Sequence, residues 1–170
     1  MVITAKDFKT EYGTLRIGET AGAVCFCYFT HGPDVSARVA RELGARLVFD
    51  STPLLEAVAV QMSEYISGRR RRFDIPVRLV GTCFRRKVWT ELMKVVYGRT
   101  VTYGELAEKV GHGGSARAVG GAVGANPLFA IVPCHRVKAV NGLGGFAWGV
   151  GMKACLLQME AGKAVIPDDD

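Results

Sequence analysis

Residues 102–127 read TYGELAEKVGHGGSARAVGGAVGANP, and the fold of the second half of the chain turns on how this stretch is parsed. Thr102 and Glu105 stand at capping-box spacing, where hydroxyl and carboxylate each satisfy an amide that a first helical turn leaves free. The short helix they start ends at Gly111. Gly113 and Gly114 continue the turn, Ser115 is placed to cap a further helix to about Ala125, and Asn126-Pro127 stops it. Helix, glycine-containing turn, helix is the helix-turn-helix outline. The second of these helices, Ser115-Ala116-Arg117-Ala118-Val119-Gly120-Gly121-Ala122-Val123-Gly124, has an odd composition. A helix that reads base edges in a major groove usually projects Asn, Gln and Arg. This one offers small side chains and one arginine, and each of its glycines costs roughly 1 kcal/mol of helix stability relative to alanine. Close approach to a surface such as a narrow minor groove would explain them, and so would tight packing of one helix on another.

Working outward, Ile131-Val132-Pro133-Cys134-His135-Arg136-Val137 follows. The apolar run predicts a buried strand that ends at the proline and sets a thiol at its mouth beside an imidazole. A free thiol with a pKa near 8.5 is only a few per cent thiolate at neutral pH, and a neighbouring base or cation raises that nucleophilic fraction. The same residues would also suit a small cysteine packed in a core. Asn141-Gly142 predicts a hairpin, which together with the strand suggests a wing. A final helix from about Val150 to Ala161 would bury Val150, Ala154, Leu157 and Ala161. On the N-terminal side of the opening stretch, Thr82 can cap a helix whose apolar face is Phe84, Val88, Leu92 and Val95.

The first half predicts an α+β scaffold. Thr14–Ile17 and Ala23–Thr30 are expected as strands joined across a Gly18/Gly22 turn, and Arg46–Phe49 as another. Asp34–Leu43 is a short helix closed by Gly44. Thr52 and Pro53 open a second, with Leu54, Leu55, Val58, Met62 and Ile66 on one face and Gly68 as its stop. None of these residues names a chemistry. Gly68-Arg69-Arg70-Arg71-Arg72 and the proline-interrupted Phe73–Val77 read as a solvated connector, which divides the chain into residues 1–78 and 79–170.

The bulk numbers bound the partners. With 170 residues and 49% hydrophobic content, a core can form without staples. No run approaches the roughly 18 apolar residues of a membrane span, and the first residues lack the apolar stretch of a secretory signal. Cysteines at 25, 27, 83, 134 and 155 show no disulfide rhythm, and three scattered histidines argue against zinc. A reducing, cytoplasmic-type compartment follows as the expectation. The net charge of +6 is unevenly spread. Eleven basic residues face four acidic ones between Leu79 and Pro167, before the Asp168-Asp169-Asp170 tail, and such an excess suggests a polyanionic partner.

Taken in order, the pieces resemble the O6-alkylguanine-DNA alkyltransferase family, also called methylated-DNA–protein-cysteine methyltransferases. The resemblance is carried by Gly81-Thr82-x-Phe84, Val88-Trp89, Tyr97-Gly98-x-Thr100, Tyr103-x-x-Leu106-Ala107 and Arg117-Ala118-Val119-Gly120. It continues through Asn126-Pro127, Pro133-Cys134-His135-Arg136-Val137, Leu143-Gly144-Gly145-Phe146 and, on the final helix, Lys153, Leu156-Leu157 and Glu160. It implies a ribonuclease-H-like α/β domain over residues 1–78, followed by a winged-helix domain over 79–170 that holds the reactive cysteine. It further implies DNA repair by single-turnover transfer of an alkyl group from O6-alkylguanine, or from O4-alkylthymine, to Cys134. In that scheme His135 activates the thiol through a water and Glu160 orients His135. Tyr103 donates a proton toward the leaving guanine and presses on the target phosphate, while Asn126 braces the cysteine turn. Arg117 fills the stack vacated by the flipped nucleotide, and Ser115, Ala116, Ala118 and Gly120 lie with it against the minor groove. Val137, Phe146, Ala147 and Trp148 would form the base pocket.

The resemblance calls for neither cofactor nor metal. It implies a monomer, cytoplasmic or nuclear according to the cell, that binds duplex DNA with little sequence preference. The chain departs from the family pattern at Arg85, where glutamine is common, and at Ala147, where a polar residue is often found. It departs also at Trp148, which is glycine in some members and whose bulk predicts poor reaction with O6-benzylguanine. Two other readings remain open at this point: a winged-helix DNA-binding protein without chemistry, and a Cys-His hydrolase.

Overall fold

A computed structural model describes residues 1–111 and 115–162. Gly113 and Gly114 of the expected turn, His112 and the Asp168–Asp170 tail lie outside them. The chain opens with an antiparallel meander, β1 (Val2–Thr10), β2 (Gly13–Thr20) and β3 (Ala23–Phe29). The helix α1 (Val35–Leu43) leads to β4 (Arg46–Phe49), which lies parallel to β1 and completes a sheet of order β3-β2-β1-β4. Next comes α2 (Pro53–Ile66), capped by Thr52 as its sequence predicts. Leu55, Val58, Met62, Tyr65 and Ile66 of α2 are buried, and the helix packs on β1, β2 and β3.

Sequence reading overlooked β1 because only Ile3 and Ala5 of that strand are fully buried. Its outward side chains are charged and held by cross-strand pairing: Asp7 lies opposite Arg16 in register, and Arg16 donates to both its carboxylate oxygens at 2.7 and 2.9 Å. The turn between β2 and β3 is Ala21-Gly22 rather than the broader Gly18/Gly22 turn expected. Gly18 lies inside β2, where a Cβ would sit 2.2 Å from the ring of Phe26, so its lack of a side chain serves close packing.

The second half contains α3 (Cys83–Leu92), β5 (Val101–Thr102), α4 (Tyr103–Lys109), α5 (Ala116–Gly124), a 3-10 turn (Cys134–Arg136), β6 (Val137–Lys138) and α6 (Val150–Glu160). The capping box at the start of α4 is present in both directions, at 3.1 and 2.9 Å. Helices α3, α4 and α5 pack on one another, and Trp89 of α3 donates its indole N–H to the Ala122 carbonyl at 2.8 Å. The connector and the second half both pair with the free edge of β3. Val24 donates to Pro76 at 2.9 Å and Cys27 to Pro127 at 2.8 Å, while Arg78 and Phe129 donate back to Val24 and Cys27. The proline-interrupted connector is therefore partly hydrogen-bonded to the sheet. Every residue of β3 after Ala23 is buried.

Four local expectations are corrected. Ile131 and Val132 form no strand: Leu128 makes one bridge to Cys27, and the backbone then turns with Ala130 at φ 61°. The reason is Asn126, whose buried amide accepts from Leu128 N at 2.9 Å and donates to Val132 O at 2.8 Å, folding the apolar run back on itself. The run is buried without being extended. The Asn141-Gly142 turn closes a single bridge, Ala139 to Gly142, and β6 pairs in parallel with β5 instead of forming a hairpin ladder. Ser115 precedes α5 but makes no side-chain capping bond. Finally, α6 buries Lys153, Leu156 and Glu160 and leaves Val150 49% exposed, because polar groups on that face find partners inside.

Among the described residues no helix is long and apolar enough to cross a membrane. Truncating Asn126 to Ala would leave the buried Leu128 N–H unpaired and remove one of the two hydrogen bonds to Val132 O. An unsatisfied buried group costs about 1–3 kcal/mol and a lost hydrogen bond about 1 kcal/mol, so Asn126→Ala is expected to lower stability by about 2–4 kcal/mol in urea unfolding.

Candidate active site

The turn braced by Asn126 delivers Cys134, whose own N–H donates to Val132 O at 2.8 Å. The thiol is 4% exposed and lies on a cavity of about 220 Å³. Tyr103, Asn126, Phe146, Ala147 and Trp148 share its wall with Cys134, along with Gly120, Val123, Gly124 and Gly145. Trp148 is clamped edge-on between Phe129 and Phe146, at ring separations of 5.1 and 5.4 Å. Gly144, at φ 74°, would bring a Cβ within 3.1 Å of the Tyr103 ring, so a glycine there lets the loop close over the tyrosine. A separate hollow of about 290 Å³ beside Cys155 has no histidine or carboxylate on its wall.

Behind the thiol, His135 is completely buried, with Nε2 2.9 Å from Glu160 Oε1 and 3.1 Å from the Tyr65 hydroxyl. Tyr65 also donates to Glu160 Oε1 at 3.0 Å. Arg136 forks onto the same carboxylate, with Nη2 to Oε1 at 2.6 Å and Nε to Oε2 at 3.0 Å, and gives Nη1 to the Val95 carbonyl at 2.7 Å. A carboxylate only accepts hydrogen bonds, so the imidazole proton sits on Nε2 and the lone pair is on Nδ1. Nδ1 is buried and has no hydrogen-bond partner among the described residues.

Charge and burial compete at each group. Burial pushes the Cys134 thiol up to about 11, against the opposing influence of the Asn126 side chain and the Lys153 ammonium. At neutral pH the sulfur therefore rests as a thiol, and the neighbouring histidine and cation do not by themselves create the thiolate that the sequence suggested. Burial also lowers His135, outweighing the pull of Glu160, so the ring rests neutral and able to take a proton. Burial opposes ionisation of Glu160, but hydrogen bonds from His135 and Arg136 win and hold it at about 2. Lys153, fully buried, donates to the Val137 and Gly145 carbonyls and ties the loop after the cysteine to α6.

The remaining expected residues are placed as follows. Arg117 and Ala118 are exposed on α5, whereas Ser115, Ala116 and Gly120 are half-buried. A Cβ at Gly121 or Gly124 would meet nothing within 4 Å, and one at Gly120 would make only ordinary contact with Tyr103. Packing within the molecule thus leaves these glycines unexplained. Val137 does not line the cavity: it is 0% exposed, with its N–H bonded to Cys134 O and its carbonyl taken by Lys153. Sequence reasoning missed Tyr65 and gave Arg136 and Lys153 no task. Lys153, Leu156 and Glu160 do stand at helical spacing, which was a usable signal; Tyr65 shares α2 with ordinary core residues and gave none. Among the described residues no three His, Cys, Asp or Glu side chains converge as a metal ion would require.

Residues 83–162 match the family described as 6-O-methylguanine DNA methyltransferase, DNA binding domain. The chain is 42% identical over 118 residues to the inducible methylated-DNA–protein-cysteine methyltransferase of Bacillus subtilis, covering 69% of this chain and 65% of the relative. It is 44% identical to the Mycobacterium bovis methylated-DNA–protein-cysteine methyltransferase, over 61% of this chain and 64% of that one. The match to the Metallosphaera sedula protein of that name is 45% identical and covers 63% of this chain and 68% of the relative. The matched segment thus spans slightly under two thirds of the first two relatives. Over the whole fold, the chain superimposes on Mycobacterium tuberculosis OGT in complex with DNA with a TM-score of 0.81 at 30% identity, covering 95% of this chain and 94% of that one. The mixed α/β architecture is common to both.

The linkage at Glu160 has a defined sign. A carboxyl with an ordinary value of 4.5 held at about 2 in the fold contributes stability that is complete above pH about 4.5 and is lost as pH falls through 2. The loss should reach about 3 kcal/mol. Glu160→Gln should flatten this part of the acid limb when urea midpoints are followed between pH 5 and pH 2.

Proposed function

Because the chain belongs to the O6-alkylguanine-DNA alkyltransferase (methylated-DNA–protein-cysteine methyltransferase) family, we propose that it repairs DNA by taking the alkyl group of an O6-alkylated guanine irreversibly onto Cys134. The observation that carries the proposal is the Cys134 thiol on the wall of a small cavity, with the His135 imidazole anchored behind it by a buried carboxylate. In the reaction the thiol proton passes, through a water, to Nδ1 of His135. The sulfur electron pair forms the C–S bond as the C–O6 bond breaks, and the bonding pair leaves with guanine. Tyr103, on the cavity wall, supplies a proton toward the purine, so guanine departs neutral. A thioether has no easy leaving group, and each chain therefore acts once. O4-alkylthymine presents the same alkyl–oxygen bond and is the second candidate substrate.

A stacked base hides its O6, so the nucleotide must swing out at a cost of roughly a few kcal/mol. Arg117 stands exposed on α5 to fill the gap. The bare glycines of the same helix allow its backbone to approach the minor groove, where an arginine or lysine at their positions would hold it off. The basic excess after Leu79 supplies sequence-independent attraction to phosphate. In this reading residues 1–78 form a ribonuclease-H-like scaffold and 79–170 a winged helix with a much reduced wing. The protein works as a monomer in the compartment that holds the DNA.

The test is intact-protein mass after incubation with a duplex oligonucleotide that carries O6-methylguanine. One added methylene unit per chain, on the Cys134 peptide and absent from Cys134→Ala, is expected; repeated turnover or an unmodified protein would refute the proposal. The aromatic clamp on Trp148 generates a second outcome. Its indole narrows the cavity, so wild-type protein should react at least about tenfold more slowly with O6-benzylguanine than with O6-methylguanine in DNA, and Trp148→Gly should reduce that gap. Single-turnover rates on both substrates check it.

A further inference from the structure

We propose that Tyr65, supplied by α2 of the first half, is a positioning residue for transfer to Cys134: its hydroxyl fixes the Nε2–H form of His135 and aims Nδ1 of that ring at the thiol. The inference rests on the alkyl-transfer reading above.

Tyr65 is 0% exposed in an aromatic cluster with Phe73 and Tyr97, at ring separations of 5.3 and 6.4 Å. Phenylalanine would fill that space equally well, and a buried hydroxyl is costly unless it is bonded. Both side-chain partners of this hydroxyl belong to the site: Glu160 Oε1 at 3.0 Å and His135 Nε2 at 3.1 Å. The phenol hydrogen is taken by the carboxylate, which can only accept. The phenol oxygen therefore turns lone pairs toward Nε2, and both groups facing that nitrogen demand a hydrogen from it. Two acceptors on one N–H fix the ring's plane as well as its tautomer. Glu160 alone would fix only the tautomer.

Tyr65 also moderates the carboxylate. Oε1 receives hydrogen bonds from Arg136, His135 and Tyr65 together, so its charge is dispersed over three donors. Removing the phenol leaves more negative charge facing the imidazole, which favours imidazolium, the form that cannot accept the thiol proton. The other ionisable groups around the ring are Glu160 and Lys153 from α6, Arg136 and Cys134 from the ring's own turn, and Tyr97 with Arg71 stacked on it from the segments after α3 and α2. All of these remain in a Tyr65→Phe variant.

The experiment measures single-turnover methyl transfer from O6-methylguanine duplex to wild type and to Tyr65→Phe between pH 5 and pH 9. The ¹⁵N spectrum of the His135 ring is recorded for both proteins. Wild type should transfer one methyl per chain and show a protonated Nε2 with an unprotonated Nδ1. Tyr65→Phe should reach the same end point about tenfold more slowly at neutral pH. Its acid limb should move to higher pH, and the two ring nitrogens should become less distinct. Superimposable profiles, slowing by one factor at every pH with the limb unmoved, or an Nδ1-protonated ring in wild type would each overturn the role of Tyr65. Failure of wild type itself to gain a methyl on Cys134 would instead overturn the alkyl-transfer reading on which the inference rests.

Discussion

Glu160 is brought inside the protein by α6, and an ionised carboxylate is tolerable there because Arg136 forks onto it while His135 and Tyr65 supply further donors. An unpaired buried charge would be strongly destabilising, so these four side chains stand or fall together. They come from three parts of the chain: α2, the turn after Pro133, and α6. Their mutual satisfaction therefore fixes the relative position of those parts as well as the orientation of one imidazole. Lys153, seven residues or about two turns of α6 ahead of Glu160, works alongside them by tying the carbonyls of Val137 and Gly145 to the same helix.

The chemistry follows from how deeply the cluster sits. Burial keeps Cys134 protonated and His135 neutral. A thiol in that state is a poor target for adventitious alkylating or oxidising agents, since the thiolate is the reactive form. It becomes a nucleophile only as its proton is removed, and the cavity of about 220 Å³ limits what can be present when that happens. In the proposed reaction, reactivity and selectivity have one origin: a group that burial would leave inert is released by a base held in a single protonation state.

The first half is more than a support. The β3 edge pairs with the backbone at Pro127 and Phe129, immediately before the turn that presents the thiol, and Tyr65 reaches the histidine directly. Asn126 then converts an apolar run that could have been a strand into a compact loop. Each contact crosses from one half to the other or closes a turn by side chain, and each adjusts the position of Cys134.

Much was already settled by local chemistry in the chain. The capping box at Thr102 and Glu105, the Thr52-Pro53 start of α2, Gly44 as a helix stop and the α3–α4–α5 succession depend on neighbours within a few residues, and the polypeptide carries that information wherever it folds. The Pro-Cys-His-Arg motif and the carboxylate at position 160 are singled out through the family resemblance, which implies the roles proposed for them. Long-range partners decided the rest. Whether Ile131 and Val132 extend or turn depends on a side chain at Asn126; which face of α6 is buried depends on acceptors for Lys153 and donors for Glu160. The protonation of Cys134 depends on how much water the whole fold excludes. Tyr65 joins the site across seventy residues of sequence, and no local pattern encodes a contact between segments so far apart in the chain.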